Sequence, residues 1–483
     1  MNRIPRTLSA VAIIASLAGC KVGPNYKRPA VDTPASYRGA LAPDITPSAS
    51  TTPLGAQKWS TVFTDPVLQG LITEALKNNY DVKIAADRVL EEQAQVGITK
   101  AGEYPTVSLG GTYDVIRLPG SLLNSLGGNS NSTTKSSTRN TYYAGGLTTS
   151  VAWNLDFWGL YRRQTEAARA YLRATEWTQQ TTYSSLVENV ATSYYQLRML
   201  DAELAITKDT LAARKQSLDL TQKLEQGGSD SMADVRQAEE LYYTAQAQIP
   251  DLERQIEQQE NNLNLLLGHA PGAVTRPTSA DSSIADAPHP TEVPVGLPSE
   301  LLERRPDVRR AEELLIQANA NIGAAKAQFF PQLSISGTGG TSSNQLKGLV
   351  DSGNAYYYAV GSLAQPIFDA GRIRSNYHLA EANHKELLDT YQQTIAGALR
   401  DVSNALVAYS KTREYREQQE KQTAASADAV RLARMRYNSG YTSYIEVLTT
   451  DTNLYSSQLT LASAQQREAS SLVQLYNALG GGW

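Results

Sequence analysis

The chain has a single cysteine, Cys20, so it has no disulfide framework, no CxxC redox pair and no multi-cysteine zinc site. Histidine is almost as scarce: His269, His289, His378 and His384 occur without the spacing of metal ligands. GxxxxGK[ST], HExxH and GxSxG are also missing, which excludes the commonest phosphate loops, zinc hydrolases and nucleophile elbows. A passive protein without a cofactor is expected. Past the N-terminus no apolar run reaches about 18 residues, and mean hydropathy is −0.37, so helical membrane spans are excluded. A membrane role would need a β-barrel or a lipid.

The N-terminus is the exception to that polarity. Arg3 and Arg6 precede a largely apolar run from Leu8 to Ala18, followed by Leu17-Ala18-Gly19-Cys20. This order of charge, apolar run and small residues is that of a cleaved secretory signal, residues 1–19, ending in a lipobox. Lipidation would consume the lone thiol, which would otherwise be a liability in an exported protein. Lys21 follows the cysteine, where an aspartate would favour retention at the inner membrane, so sorting to the outer membrane is allowed. Removing residues 1–19 takes away two of 44 basic residues and none of 48 acidic ones, leaving a net charge of −6. That charge does not indicate nucleic acid as a partner.

The chain contains itself twice. At an offset of 226, Asp81-Val82 falls on Asp307-Val308, Lys100 on Lys326 and Pro105 on Pro331. At an offset of 212, Gly159 falls on Gly371, Arg162 on Arg374, Gly228 on Gly440 and Gly268 on Gly480. The change of offset falls in a tract from Gly120 to Asn140 rich in Gly, Ser, Asn and Thr, which reads as a solvated loop. The expected division is an N-terminal segment 20–66, a first repeat 67–269, an equatorial linker 270–298 and a second repeat 299–483.

Within each copy the periodicities follow one order. A helical pattern over about 71–102 returns at about 299–328. Val107, Leu109, Gly111, Tyr113 and Val115 then alternate with more polar residues, as do Leu147, Thr149, Val151, Trp153 and Leu155 with Thr148, Ser150, Ala152, Asn154 and Asp156. One face suits lipid and the other water. Leu333, Ile335 and the stretch Tyr356–Phe368 repeat this more weakly.

Two long helices per copy come next. Val190, Leu197, Leu204, Leu211 and Leu218 recur every seventh residue, as do Val235, Tyr242, Ile249, Ile256 and Leu263 after the turn at Gly227-Gly228. Val447, Leu454, Leu461 and Leu475 continue that phase, with Glu468 interrupting, and Pro250 predicts a kink. Residues 159–225 make about 100 Å of helix, which the two shorter helices of the copy match when stacked end to end.

Four strands cannot close a barrel, and open edges in lipid cost several kcal/mol per unpaired group. Eight strands from a dimer would leave a filled lumen, whereas twelve from a trimer would leave a passage. Phe157, Trp158, Phe329, Phe330 and Phe368, where strands meet helices, and Tyr142, Tyr143, Tyr356, Tyr357 and Tyr358, at the loop ends, would form two interfacial girdles.

Four motifs carry a resemblance: Cys20-Lys21-Val22-Gly23-Pro24-Asn25-Tyr26-Lys27-Arg28-Pro29, Phe329-Phe330-Pro331-Gln332-Leu333, Pro366-Ile367-Phe368-Asp369-Ala370-Gly371-Arg372 and the closing Gly480-Gly481-Gly482-Trp483. The mature chain resembles the TolC-like outer membrane factors, most nearly the NodT-type efflux lipoproteins. The resemblance implies an α+β homotrimer with a twelve-stranded β-barrel, continued by an α-helical coiled-coil tunnel in the periplasm. The implied partners are a periplasmic adaptor (membrane fusion protein) and an inner-membrane pump of the resistance-nodulation-division type, with Cys20 acylated in the outer membrane. The hairpin turns Gly227, Gly228 and Gly440 would be the closed, adaptor-docking end.

The resemblance also carries an apolar and an acidic ring at that mouth onto Ile445 and Thr449, counted from Tyr437 and Gly440. Thr449 departs from the family's aspartate, and Asp451 lies about 200° further round a helix. Asp451, Glu446, Arg434 and Arg436 are the remaining gate candidates. Two other readings stay open: a type I protein-secretion duct, and a coiled-coil lipoprotein that braces the periplasm without a pore.

Overall fold

A computed structural model describes residues 21–31, 34, 37–38, 53–117, 141–276, 294 and 298–483. The signal segment, Cys20, the Gly120–Asn140 tract and most of the 270–298 linker lie outside the described residues. After a helical turn Trp59–Val62, the first repeat comprises α1 (Pro66–Asn78), α2 (Tyr80–Ala101), β1 (Thr106–Arg117), β2 (Thr141–Leu155), α3 (Leu160–Gln226) and α4 (Met232–Leu267). The second comprises α5 (Pro298–Arg304), α6 (Pro306–Ala327), β3 (Gln332–Ser343), β4 (Ala355–Ala364), α7 (Arg372–Asn438) and α8 (Tyr444–Ala478). The order of elements is identical in the two copies.

The chain divides into two compact units that cut across the repeat. One is built on Glu91–Leu172 and Leu314–Leu388 with the N-terminal segment through Arg28; the other holds Pro29–Leu90, Arg173–Glu313 and Asp389–Trp483. The first carries the four-stranded antiparallel sheet, ordered β1-β2-β3-β4. The second is helical.

Both short helices before the strands are broken where the periodicity had suggested continuity. Asn79 ends α1 and caps α2: its Oδ1 accepts from the amides of Asp81 (2.7 Å) and Val82 (3.2 Å), and its Nδ2 donates to the Leu266 carbonyl at the end of α4 (2.9 Å). In the second copy Pro306 opens α6, and Arg305 reaches the Ala478 carbonyl at the end of α8 (3.2 Å). Each break thus meets the end of the later helix. The meeting is close: Gly268, in the left-handed region at φ 75°, terminates α4 against Asn78, and a Cβ there would lie 2.6 Å from the Asn78 carbonyl oxygen.

α3 and α7 run 67 residues each, about 100 Å. α3 contains neither proline nor glycine. α4 continues through Pro250 as one helix. Val190, Leu197, Leu263 and Leu475 of the heptad seams are fully buried. Glu468, which interrupts the α8 seam, is buried as well and accepts from Arg416 Nε at 2.5 Å, so the break in the pattern holds a charge pair.

Candidate functional site

The strand registers sort the sheet residues onto two faces. Pairing of Leu109, Thr149, Gly339 and Tyr357 in one row, and of Val107, Val151, Gly337 and Ala359 in the next row on that face, assembles Val107, Leu109, Val115, Leu147, Val151, Trp153, Leu155, Leu333, Ile335, Tyr357 and Leu363 together. The opposite face carries Thr106, Ser108, Thr112, Asp114, Thr148, Ser150, Asn154, Ser334, Ser336, Thr338 and Ser362. Hydroxyls link across strands there, Ser108 to Ser150 at 2.7 Å and Ser334 to Ser362 at 2.6 Å. β1 and β4 are the edges, unpaired on their outer sides among the described residues. The sheet therefore has an apolar face, a hydroxyl-rich face and two open edges.

Three of the aromatic residues at the strand-to-helix boundary, Phe157, Trp158 and Phe330, form one patch. Phe157 packs edge-on against Trp158 (5.0 Å), and Trp158 stacks on Phe330 (4.7 Å) while donating its indole N–H to the Pro331 carbonyl (2.8 Å). Phe329 meets Tyr377 edge-on at 5.8 Å, and Phe368 is almost fully exposed. At the loop ends Tyr113 lies 6.5 Å from Tyr143, and Tyr356 lies parallel to Tyr358 at 6.4 Å.

The segment that follows Cys20 is clamped to the start of α3. Val22 donates its amide to the Trp158 carbonyl at 3.2 Å. Arg163, completely buried, donates to the carbonyls of Val22 (3.2 Å) and Gly23 (3.1 Å), to Asn25 Oδ1 (3.1 Å) and to Glu166 (3.0 Å). Lys21 pairs with Glu166 as well. Burial would raise the Glu166 carboxyl, but Lys21 and Arg163 overcome it and hold the group below the usual carboxylate range.

At the far ends of the long helices the two hairpins pack together. Their apolar cluster contains Leu218, Val235, Ala238, Ala433, Tyr444 and Val447, flanked by Tyr242, Tyr437 and Leu448. Gly228 (φ 75°) and Gly440 (φ 73°) supply the left-handed turns. Tyr437 donates its hydroxyl to Asp230 of the other hairpin at 2.6 Å; burial first, and the Asp230 carboxylate second, push its pKa well up from 10. Asp451 is buried between helices and accepts from Arg214 Nε (2.9 Å) and Arg434 (3.2 Å). Arg214 also donates to the Leu241 carbonyl (3.0 Å).

The gate candidates fall into three positions. Ile445 and Thr449 share an exposed face of α8, where the Thr449 hydroxyl donates to the Ile445 carbonyl at 2.8 Å. Glu446 is tied within its own hairpin to Arg436 (2.9 Å) and Thr442. Asp451 points the other way, into its two arginines. Arg214 and Arg163 are not among the residues that the sequence singles out. Arg163 had one signal: its repeat equivalent is Ser375, so the basic pair Arg162-Arg163 is kept only halfway as Arg374-Ser375.

Comparison with known proteins gives one picture. The family model described as outer membrane efflux protein matches residues 71–269 and 297–481, two blocks that coincide with the two repeats. The chain is 33% identical over 479 residues, 99% of each chain, to the cation efflux system protein CusC of Escherichia coli O6:H1. It is 35% identical to the solvent efflux pump outer membrane protein SrpC of Pseudomonas putida, covering 97% of this chain and 96% of that one. Among solved structures, a crystal structure of CusC superposes with a TM-score of 0.81 at 30% identity, over 95% of this chain and 99% of that one. The open state of the Neisseria gonorrhoeae MtrE outer membrane channel does so with a TM-score of 0.84 at 28% identity, over 96% and 98%.

Proposed function

We propose, from the premise that the chain belongs to the outer membrane efflux protein family and is an outer-membrane exit channel, that three copies close into one duct. The observation that carries this is the two-faced sheet with unpaired edges. Exposed to lipid, each unpaired edge group costs several kcal/mol, and pairing β4 of one copy with β1 of the next removes every edge. Twelve strands then put the apolar rows against lipid and the Ser/Thr rows around a lumen.

The helical hairpins extend this duct into the periplasm and end at Gly227, Gly228 and Gly440, where a periplasmic adaptor docks and joins it to an inner-membrane pump of the resistance-nodulation-division type. Ile445 and Thr449, exposed on α8, line the narrowed mouth. Asp451 acts as a lock between hairpins, because both of its oxygens are committed to arginines. Cys20 carries the acyl anchor, and the Arg163 clamp on Val22, Gly23 and Asn25 holds that anchor beside the aromatic patch. Transport here is passive, without a catalytic step or cofactor. The wall is rich in hydroxyls and carries Asp114 as its carboxylate among the described strand residues.

Planar-bilayer recording tests the reading. Purified wild-type protein should conduct weakly and Ile445→Ala or Asp451→Asn several times more. Absence of conductance in all three would sink the channel and leave the coiled-coil brace as the better account. Labelling with radioactive palmitate, lost in Cys20→Ser, tests the anchor.

A further inference from the structure

The internal repeat and one set of contacts within a single copy lead to the residues that join two copies. Along their antiparallel approach, α3 and α6 are tied by Arg173 Nε to Glu313 at 2.9 Å and, four residues later in α3 and four earlier in α6, by the Arg309 guanidinium over the Trp177 ring at 5.4 Å. The repeat equivalents of α3 and α6 are α7 and α2. Offsets of 212 and 226 carry Arg173 to Lys385, Glu313 to Asp87, Trp177 to Asp389 and Arg309 to Lys83. The register is unambiguous here: Asp81-Val82, Gly97 and Lys100 fall on Asp307-Val308, Gly323 and Lys326, while Thr178, Thr182 and Val190 fall on Thr390, Thr394 and Val402.

Charge complementarity survives the transfer. Arg173 with Glu313 becomes Lys385 with Asp87, and Trp177 with Arg309 becomes Asp389 with Lys83. Yet none of Lys83, Asp87, Lys385 and Asp389 has an ion pair among the described residues, and all four are exposed. Apolar residues show the same asymmetry. Ala167 and Ala324 are buried, whereas their equivalents Leu379 and Ile98 are 68% and 67% exposed. Side chains that grew more apolar while losing their cover are arranged for a partner surface.

Building on the trimer proposed above, we infer that the α7 face of one copy packs on the α2 face of the next as α3 packs on α6 within a copy, with Lys385 paired to Asp87 and Asp389 to Lys83. The duct is then a ring in which contacts inside and between copies repeat one geometry. The reciprocal charge pattern, basic then acidic on α7 against basic then acidic on antiparallel α2, also sets register: a slip of one helical turn would bring like charges together.

Cross-linking through paired cysteines tests this in the full-length protein in outer membranes. Asp87→Cys with Lys385→Cys, treated with a short bis-methanethiosulfonate, should give dimer and trimer bands on a non-reducing gel. Arg173→Cys with Glu313→Cys should link at monomer size, and the wild type reports any background from Cys20. Separately, Asp87→Lys should raise the concentration for half-assembly about tenfold, as loss of a close interfacial charge pair does, and Asp87→Lys with Lys385→Asp should restore it. Native mass spectrometry reads assembly directly. A wild-type trimer without the 87–385 link, or with that link confined to one copy, overturns the pairing while the trimer stands. A monomeric wild type in native mass spectrometry overturns the trimer and the pairing with it.

Discussion

The two helix breaks perform one task with different chemistry. At the first, a neutral amide does everything: Asn79 caps α2 and donates to the Leu266 carbonyl. At the second, a guanidinium does it: Arg305 donates to the Ala478 carbonyl while pairing with Asp307 (2.6 Å) and Asp401 (3.4 Å). Residues 79 and 305 are repeat equivalents, as are 266 and 478. What the fold retains is a donor that reaches the end carbonyl of the neighbouring helix, where four backbone acceptors lack partners. Which donor supplies it was free to diverge. The arginine solution is stronger but needs two carboxylates; the amide solution is self-contained.

The largest effect is expected at the second break. Arg305→Ala leaves the Ala478 carbonyl without this donor and Asp307 without its cation, while Asp401 keeps Arg400 at 2.7 Å. Because those carboxylates are about a third exposed, the cost is about 2 kcal/mol, below the value for a fully buried pair, and it should appear in the denaturant midpoint of the detergent-solubilised protein. Gly268→Ala comes next, at about 2 kcal/mol from a left-handed φ and contact with Asn78, whereas Gly480→Ala, whose Cβ would meet Arg304 backbone at 3.2 Å, should cost about 1 kcal/mol. Asn79→Ala should cost about 1 to 2 kcal/mol by the same assay, and Asn79→Asp at least as much, since it keeps the cap but turns a buried carboxylate oxygen toward the Leu266 carbonyl.

The smallest difference lies at the hairpin tips. Ser231 closes a capping box with Asp234, while its equivalent Ser443 makes no side-chain cap. Ser231→Ala should therefore cost about 1 kcal/mol and Ser443→Ala under about 0.5 kcal/mol.

A pH experiment sharpens the contrast between Glu188 and its equivalent, the exposed Arg400. Burial raises the Glu188 carboxyl, opposed by the hydrogen bond from Asn477. The folded chain therefore holds that proton more tightly than the unfolded chain does. Its contribution is fully present below about pH 4.5 and is lost as pH rises through the raised folded value. Glu188→Gln should flatten the fall in stability across that window, read from melting temperatures at successive pH values.

Much of this architecture was legible in the chain. The repeat, the seams through Val190, Leu197, Leu263 and Leu475, and the alternation from Leu147 to Leu155 appear in the structure as helices and as a two-faced sheet, because burial with a fixed period leaves a pattern in composition. The break at Asn79 leaves no mark in the apolar period, which runs through it, because its cap is a single side chain; the break at Arg305 is marked only by Pro306, the first residue of α6. At the tip, counting along α8 put Asp451 about 200° from Thr449, and the structure turns it toward Arg214 and Arg434. Arg214 lies 237 positions away from Asp451, and no local pattern announces so distant a partner.

The doubling, the two faces of the strands and the family can be read along the chain, because they rest on local periodicity and on motifs. Which charges are spent inside a copy and which are left over follows from the packing of distant helices. Arg173 and Glu313 look no different in sequence from Lys385 and Asp87; the first pair is closed and the second exposed because helix packing brings α3 to α6 within one chain and leaves α7 and α2 their outer faces.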